Sequence, residues 1–263
     1  MSDRMIKVGI QGASGRMGAR LIDLIRADAE LTLVAAVDRP DHPRLGDDVG
    51  LILGCGSLGT KLTAEIPLGA DVWIDFSTPG ATLALARVCR DRKVPLVVGT
   101  TGLEPEEKAE LAEIARSIAV LAAPNMSRAV NLLMKLTADA ARAIGRESDI
   151  EIVERHHHFK KDSPSGTAVR LAEIVAEAIG SNAIVHGRSG LVGERPRGEI
   201  GVHALRVGDN PGEHTVVFGL MGETLELSHR ALSRDGFARG ALDAAKFLIG
   251  KPAGSYKMSD LLE

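Results

Sequence analysis

An apolar run at residues 6–10 leads into Gly12-Ala13-Ser14-Gly15-Arg16-Met17-Gly18, and a helical pattern follows through residue 28. Glycines three apart where a strand turns into a helix allow close backbone approach, and the first amides of such a helix face outward as donors for an anion. A second apolar run, residues 31–37, closes on Asp38, 20 residues beyond Gly18. An acid there can accept hydrogen bonds from ribose hydroxyls. Arg39 follows at once, and its guanidinium can stack on adenine or pair with a 2′-phosphate. The glycine spacing departs from strict GxGxxG, and alone it would describe any tight βα turn. With Asp38 in place it predicts a dinucleotide site for NADH, NADPH or both.

The first half continues in the same alternation. Strands are expected at residues 71–76, 94–98 and 120–122, and helices at 82–91 and 105–117. Three loops follow these strands: Asp75-Phe76-Ser77-Thr78-Pro79, Gly99-Thr100-Thr101-Gly102 and Ala123-Pro124-Asn125-Met126. Doubly wound sheets bind ligands at such strand ends, so Gly99, Thr100, Thr101, Ala123, Pro124, Asn125 and Met126 join Gly12 to Met17, Asp38 and Arg39 as candidate cofactor contacts. From residue 127 the pattern changes. A long helix at 130–144 precedes strands at 149–154, 201–207, 215–220 and 224–231, with a Gly/Arg/Pro-rich loop at 188–198 and a last helix at 238–249. The fold class is α/β: a Rossmann-type doubly wound parallel sheet plus a second α+β domain with a mixed or antiparallel sheet. The expected division is a dinucleotide-binding domain of residues 1–126 and 236–263, and a substrate-binding and oligomerisation domain of 127–235.

Composition narrows the function. A formal net charge of −3 argues against a general nucleic-acid binder, which needs a net basic face. Cys55 and Cys89 stand apart, so neither a disulfide framework nor a cysteine-rich zinc site is expected, and a reducing cytoplasm fits. The apolar run that meets Gly12 is too short for a signal or membrane span. Rings make up only 3% of the chain, so ligand recognition should rest on charge and hydrogen bonds.

The chemistry is expected at residues 151–168, EIVERHHHFKKDSPSGTA. A strand delivers three histidines and two lysines into a loop, and a helix begins after Ser165-Gly166-Thr167. Ser165 can act as N-cap, with amides near Gly166 and Thr167 left for a carboxylate. Lys160 can hold a second carboxylate or donate a proton, and a histidine can serve as acid in the same site. A metal ion is not expected at the histidine run, because adjacent residues of an extended strand point to opposite faces.

These strings resemble the 4-hydroxy-tetrahydrodipicolinate reductase (dihydrodipicolinate reductase) family of diaminopimelate and lysine biosynthesis, end to end. The carriers are GASGRMG at 12–18, VDRP at 37–40, DFS at 75–77, VVGTTG at 97–102, APNMS at 123–127, the 151–168 string and RVGDNPGEHTV at 206–216. The resemblance implies that His156 is the catalytic acid/base and Lys160 a proton donor, with His157, Ser165, Gly166 and Thr167 against a small dicarboxylate substrate. It also implies a cytoplasmic homotetramer joined through the second domain, with hinges near Met126 and Arg234. His158 and Ser163 depart from the family's usual string. Two competing readings are weaker. A semialdehyde dehydrogenase needs a nucleophilic cysteine, which neither Cys55, in a glycine-rich loop, nor Cys89, in a helix, supplies. A non-catalytic cofactor sensor leaves the His/Lys cluster without a purpose.

Overall fold

The computed structural model describes residues 4–262, which divide into two compact units. One takes the chain up to Arg128 and again from Asp235; the other is Ala129–Arg234. The first unit begins with β1 (Ile6–Gln11), α1 (Arg16–Arg26), β2 (Leu31–Val37), the short α2 (Val49–Ile52) and β3 (Leu62–Thr63). It continues through β4 (Val72–Asp75), α3 (Pro79–Arg92), β5 (Leu96–Val98), α4 (Pro105–Ala115) and β6 (Ala119–Ala122). Then come α5 (Arg128–Ile144), β7 (Asp149–His156), α6 (Gly166–Ile179), β8 (Ile184–His186), β9 (Ile200–Arg206), β10 (Glu213–Leu220) and β11 (Glu223–Arg230). Finally α7 (Asp235–Leu248) and β12 (Gly254–Tyr256) return to the first unit.

In the first unit seven strands run in the order β12-β6-β5-β4-β1-β2-β3, and every pair is parallel. This is the Rossmann-type sheet the alternation predicts. The strand order reverses between β1 and β4, the switch point at which such sheets leave a crevice beyond their C-terminal ends. Both faces are covered, so the strands read as near-continuous apolar runs such as Val72-Trp73-Ile74. Leu21, Ile22 and Ile25 of α1 and Ala241, Ala245 and Leu248 of α7 pack on one face. Leu85, Cys89, Leu111 and Ile114 of α3 and α4 pack on the other.

The second unit has a mixed five-stranded sheet, β11-β10-β7-β9-β8, with β7 antiparallel to β10 and parallel to β9. Its core joins Ile150, Ile152, Val216 and Phe218 to Leu171, Val175 and Ile179 of α6 and Leu133 and Ala141 of α5. Along β7 burial alternates: Ile150, Ile152, Glu154 and His156 are buried, whereas Glu151, Val153 and Arg155 are partly exposed. A buried glutamate thus occupies a position where the pattern calls for an apolar side chain.

Several boundaries differ from expectation. Strand β7 runs on through His156, so the first histidine is fixed in a ladder rather than carried by a loop. Helix α3 starts at Pro79 instead of residue 82, because proline at the first helical position needs no amide partner. Helix α6 starts at Gly166, directly after its cap. Strands β3, β8 and β12 and helix α2 were not expected; at two to four residues each they carry too little periodicity to stand out.

Candidate active site

At the β1/β4 switch point a cavity of about 710 Å³ is lined by Gly12, Ser14, Gly15, Asp38, Arg39 and Phe76, among others. The three glycines divide the work. Gly12 has φ +77°, and a Cβ there would lie 2.2 Å from the Phe76 carbonyl oxygen. At Gly18 a Cβ would lie 2.3 Å from the Gly12 oxygen, so this residue permits the close crossing of helix and turn. Gly15 is exposed at the cavity, and a Cβ there would meet only the Gly12 oxygen, at 3.2 Å. Gly15 is also the N-cap of α1, with no side-chain capping bond and no acid in the first turn. The positive end of the helix is therefore open to an anion.

Asp38 accepts from the Ser14 amide at 2.9 Å, the Ser14 hydroxyl at 2.6 Å and the Arg39 amide at 2.9 Å. Burial would raise this carboxyl, but the Ser14 and Arg39 donors outweigh it and hold it below the ordinary carboxylate range. Asp38 thereby locks the glycine turn as well as offering an acceptor to the cavity. Arg39 is largely exposed and stands 3.4 Å from Asp41.

Below the neighbouring loops lies fully buried Asp75. It accepts from the hydroxyls of Thr82 (2.5 Å), Thr100 (2.7 Å) and Ser77, and the Ser77 amide donates to Thr100 Oγ1 at 2.8 Å. Burial raises the Asp75 carboxyl despite these hydroxyls. The knot fixes the loops after β4 and β5 to each other.

In the second unit the buried Glu154 carboxylate gathers four donors. Arg206 binds it with both guanidinium ends, each at 2.9 Å; the Ser165 amide lies at 2.9 Å and His156 Nδ1 at 2.5 Å. Burial favours the neutral acid, but Arg206, His156 and Ser165 together keep Glu154 below the usual carboxylate range. The His156 imidazole is lowered from its ordinary value, chiefly by burial and also by the charges of Lys160 and Arg206, against the pull of Glu154. Its Nε2 faces Gly212, where a Cβ would stand 2.9 Å away, and φ +148° suits only glycine. Ser165 caps α6 by accepting from the Ala168 amide at 3.2 Å, and its hydroxyl is 3.0 Å from His214 Nε2. Burial pushes His214 down to about 3, so it is neutral at working pH. The Lys160 ammonium pairs with Asp162 at 2.9 Å, and Arg206 donates to the Asp162 carbonyl at 2.7 Å.

The expected residues therefore fall into two groups. Gly12, Ser14, Gly15, Asp38 and Arg39 line the cavity; Ala13 is buried beneath it, Arg16 is exposed and Met17 half-buried on the first turn of α1. Thr100 belongs to the Asp75 knot, the Gly99 amide donates to the Asp75 backbone carbonyl at 2.8 Å, Thr101 is exposed, and Asn125 accepts from the Ser127 amide at 2.9 Å. Ala123 is half-buried, Pro124 exposed and the Met126 side chain in the core. In the second unit His156 and Ser165 meet at Glu154, while Gly166 and Thr167 open α6. The His157 amide donates to Asn210 O, and His158 is held at the Gly208 carbonyl with its ring on Phe159. Among the described residues no three His, Cys, Asp or Glu side chains are placed to hold a metal ion. Gln11, His42 and Ala81 also line the cavity, and Glu154, Arg206, Gly212 and His214, present in the family strings but not among the expected site residues, surround His156. Glu154 could have been found, since a charge two residues before His156 falls on the core side of the β7 alternation.

A parallel sheet with an open glycine turn at its switch point and an acid closing the second strand is of the Rossmann type found in dinucleotide-dependent oxidoreductases. Residues 6–126 match the dihydrodipicolinate reductase N-terminus model and residues 129–262 the C-terminus model. The chain is 48% identical to the 4-hydroxy-tetrahydrodipicolinate reductase of Trichlorobacter lovleyi and 47% identical to that of Geobacter sulfurreducens, over 98% of its length and 99% of theirs in both cases. A solved dipicolinate-bound dihydrodipicolinate reductase from Paenisporosarcina sp. TG-14 superposes with TM-score 0.77 at 24% identity, covering 96% of this chain and 97% of that one. The chain belongs to the dihydrodipicolinate reductase family and is an NAD(P)H-dependent reductase of diaminopimelate and lysine biosynthesis. No helix of the described residues is long and apolar enough to cross a membrane.

Proposed function

We propose that the protein reduces 4-hydroxy-tetrahydrodipicolinate to tetrahydrodipicolinate with loss of water. The first unit holds NADH or NADPH, and the observation that supports this is the uncapped α1 terminus at Gly15 beside the 710 Å³ cavity. The amides of residues 15–17 would hold its pyrophosphate and Asp38 its adenosine ribose. Arg39 attracts a 2′-phosphate when one is present. When bound, the reduced nicotinamide would supply the hydride that the reaction needs at C4 of the substrate ring.

The chain's own residues handle the carboxylates and protons. The substrate carries two carboxylates; one sits on the α6 start at Ser165, Gly166 and Thr167, and the other meets Lys160 and His157. Gly166 supports this reading best. It is exposed, a Cβ there would meet nothing within 4 Å, and its φ is not positive, so neither packing nor backbone conformation requires glycine. Room for a ligand over the helix start does. His156, neutral and poised by Glu154, is the acid/base, and Lys160 donates the proton that balances hydride addition after the hydroxyl departs as water.

The protein works as a cytoplasmic homotetramer joined through the second unit. The β7 and β10 face bearing Glu151, Val153, Arg155, Thr215 and Val217 is half-exposed along its length, whereas the alternate residues are buried. Such a face suits an isologous partner sheet. Inhibition by pyridine-2,6-dicarboxylate, the planar mimic of the substrate, tests the dicarboxylate site. Competition with substrate is expected, weakened by Lys160→Ala; absence of inhibition at saturating mimic rules out this placement.

A further inference from the structure

We propose that Glu154 and Arg206 are positioning residues for the reaction: one ion pair, its carboxylate buried, to which the His156 ring, the α6 start and the Lys160 loop are tied. This rests on the reading of His156 as the acid/base. Glu154 fixes the ring of His156 through Nδ1 and the entry to α6 through the Ser165 amide. Arg206 closes both oxygens of that carboxylate and reaches on to the Asp162 carbonyl, whose residue pairs with Lys160. Histidine, lysine loop and helix start follow one another within residues 156–165, and Arg206, reaching in from β9, completes the pair where their hydrogen bonds converge.

The arrangement also decides a proton. An ionised carboxylate can only accept, so His156 must carry its hydrogen on Nδ1 and present the Nε2 lone pair beside Gly212. A carboxylate buried on a strand's core face is costly unless fully paired, and mutual pairing with Arg206 satisfies it. Folding alone would be served as well by an apolar residue at 154, continuing Ile150 and Ile152.

Selective nitrogen-15 labelling of the histidines in the full-length protein, with His156 assigned by loss of its signals in His156→Gln, tests the claim without disturbing the network. The wild-type ring should show protonated Nδ1 and unprotonated Nε2 at neutral pH. The opposite tautomer overturns the proposal. Glu154→Gln keeps the size and an acceptor for Ser165 but lets its amide donate to Nδ1. It should invert the tautomer and lower kcat about 10²-fold or more, with substrate KM changed less than about threefold. Because Glu154 acts through His156, Glu154→Gln combined with His156→Ala should turn over no more slowly than His156→Ala alone. Arg206→Lys, which loses the bidentate grip, should lower kcat in the same direction. If His156→Ala is inactive while Glu154→Gln turns over as wild type with an unmoved pH profile, the positioning role fails and the acid/base reading stands. If His156→Ala itself turns over normally, that reading fails instead.

Discussion

Replacing Gly166 with alanine separates stability from binding at one atom. The position is the first of α6, follows the Ser165 cap, and offers an added Cβ no neighbour within 4 Å. Alanine therefore brings no clash, and its better helix propensity stabilises the fold by at most about 0.5–1 kcal/mol. For a chain of this size that raises the melting temperature by no more than about 4 °C. On the proposed placement, the same methyl enters the space in which a substrate carboxylate reaches the helix amides. Losing one hydrogen bond to a charged group costs about 1.5–3 kcal/mol, or about 10- to 150-fold in affinity. Steady-state kinetics should show a rise of that order in substrate KM and in the inhibition constant of pyridine-2,6-dicarboxylate, with cofactor KM unmoved. A variant at least as stable as wild type that binds both dicarboxylates normally would refute the assignment of α6 as the carboxylate site.

Asp38→Ala should weaken NADH more than NADPH and Arg39→Ala the reverse, read from KM for each cofactor; equal losses in both variants would move the adenosine ribose elsewhere. Because Asp38 also locks Ser14, its loss should weaken both cofactors to some degree. His214, held down to about 3 from an ordinary 6.5, takes up its proton in the unfolded chain first. Its neutral form therefore contributes stability that is complete above about pH 6.5 and is lost as pH falls towards 3. Denaturant unfolding should lose about 2 kcal/mol from this group between pH 7 and pH 5, a slope that His214→Gln flattens and an unchanged slope would contradict. Exhaustive chelation should leave turnover intact, since His156 is engaged with Glu154 and His158 with Gly208; loss of activity restored by a divalent ion would reverse this.

The first unit was legible because its signals are local. A glycine turn, an acid at the end of the next strand and apolar runs of three or more residues survive being read one stretch at a time. Residues 151–167 stood out as a candidate site for the same reason. What escaped was long-range pairing. Arg206 reaches Glu154 across 52 positions, and Ser165 reaches His214 across 49. Nothing local marks Arg206 as the partner of a buried acid rather than a solvated strand end. Thr100 shows another such pairing: its place after β5 makes it a cofactor candidate, and its hydroxyl bonds Asp75, 25 residues away. Position after a strand identifies the loop but not which side chain faces the ligand.

The proposed reaction is reduction of a hydroxylated cyclic dicarboxylate by a reduced nicotinamide, with His156 and Lys160 moving the protons. The direct measurement follows oxidation of NADH and of NADPH by freshly generated 4-hydroxy-tetrahydrodipicolinate, in the wild type and in His156→Ala and Lys160→Ala. Turnover with at least one cofactor is expected in the wild type, with kcat lowered about 10²–10⁴-fold in the residue that transfers the proton and cofactor affinity preserved in both variants. Wild-type turnover in both variants would contradict the site, and no oxidation of either cofactor by the wild type would contradict the reaction.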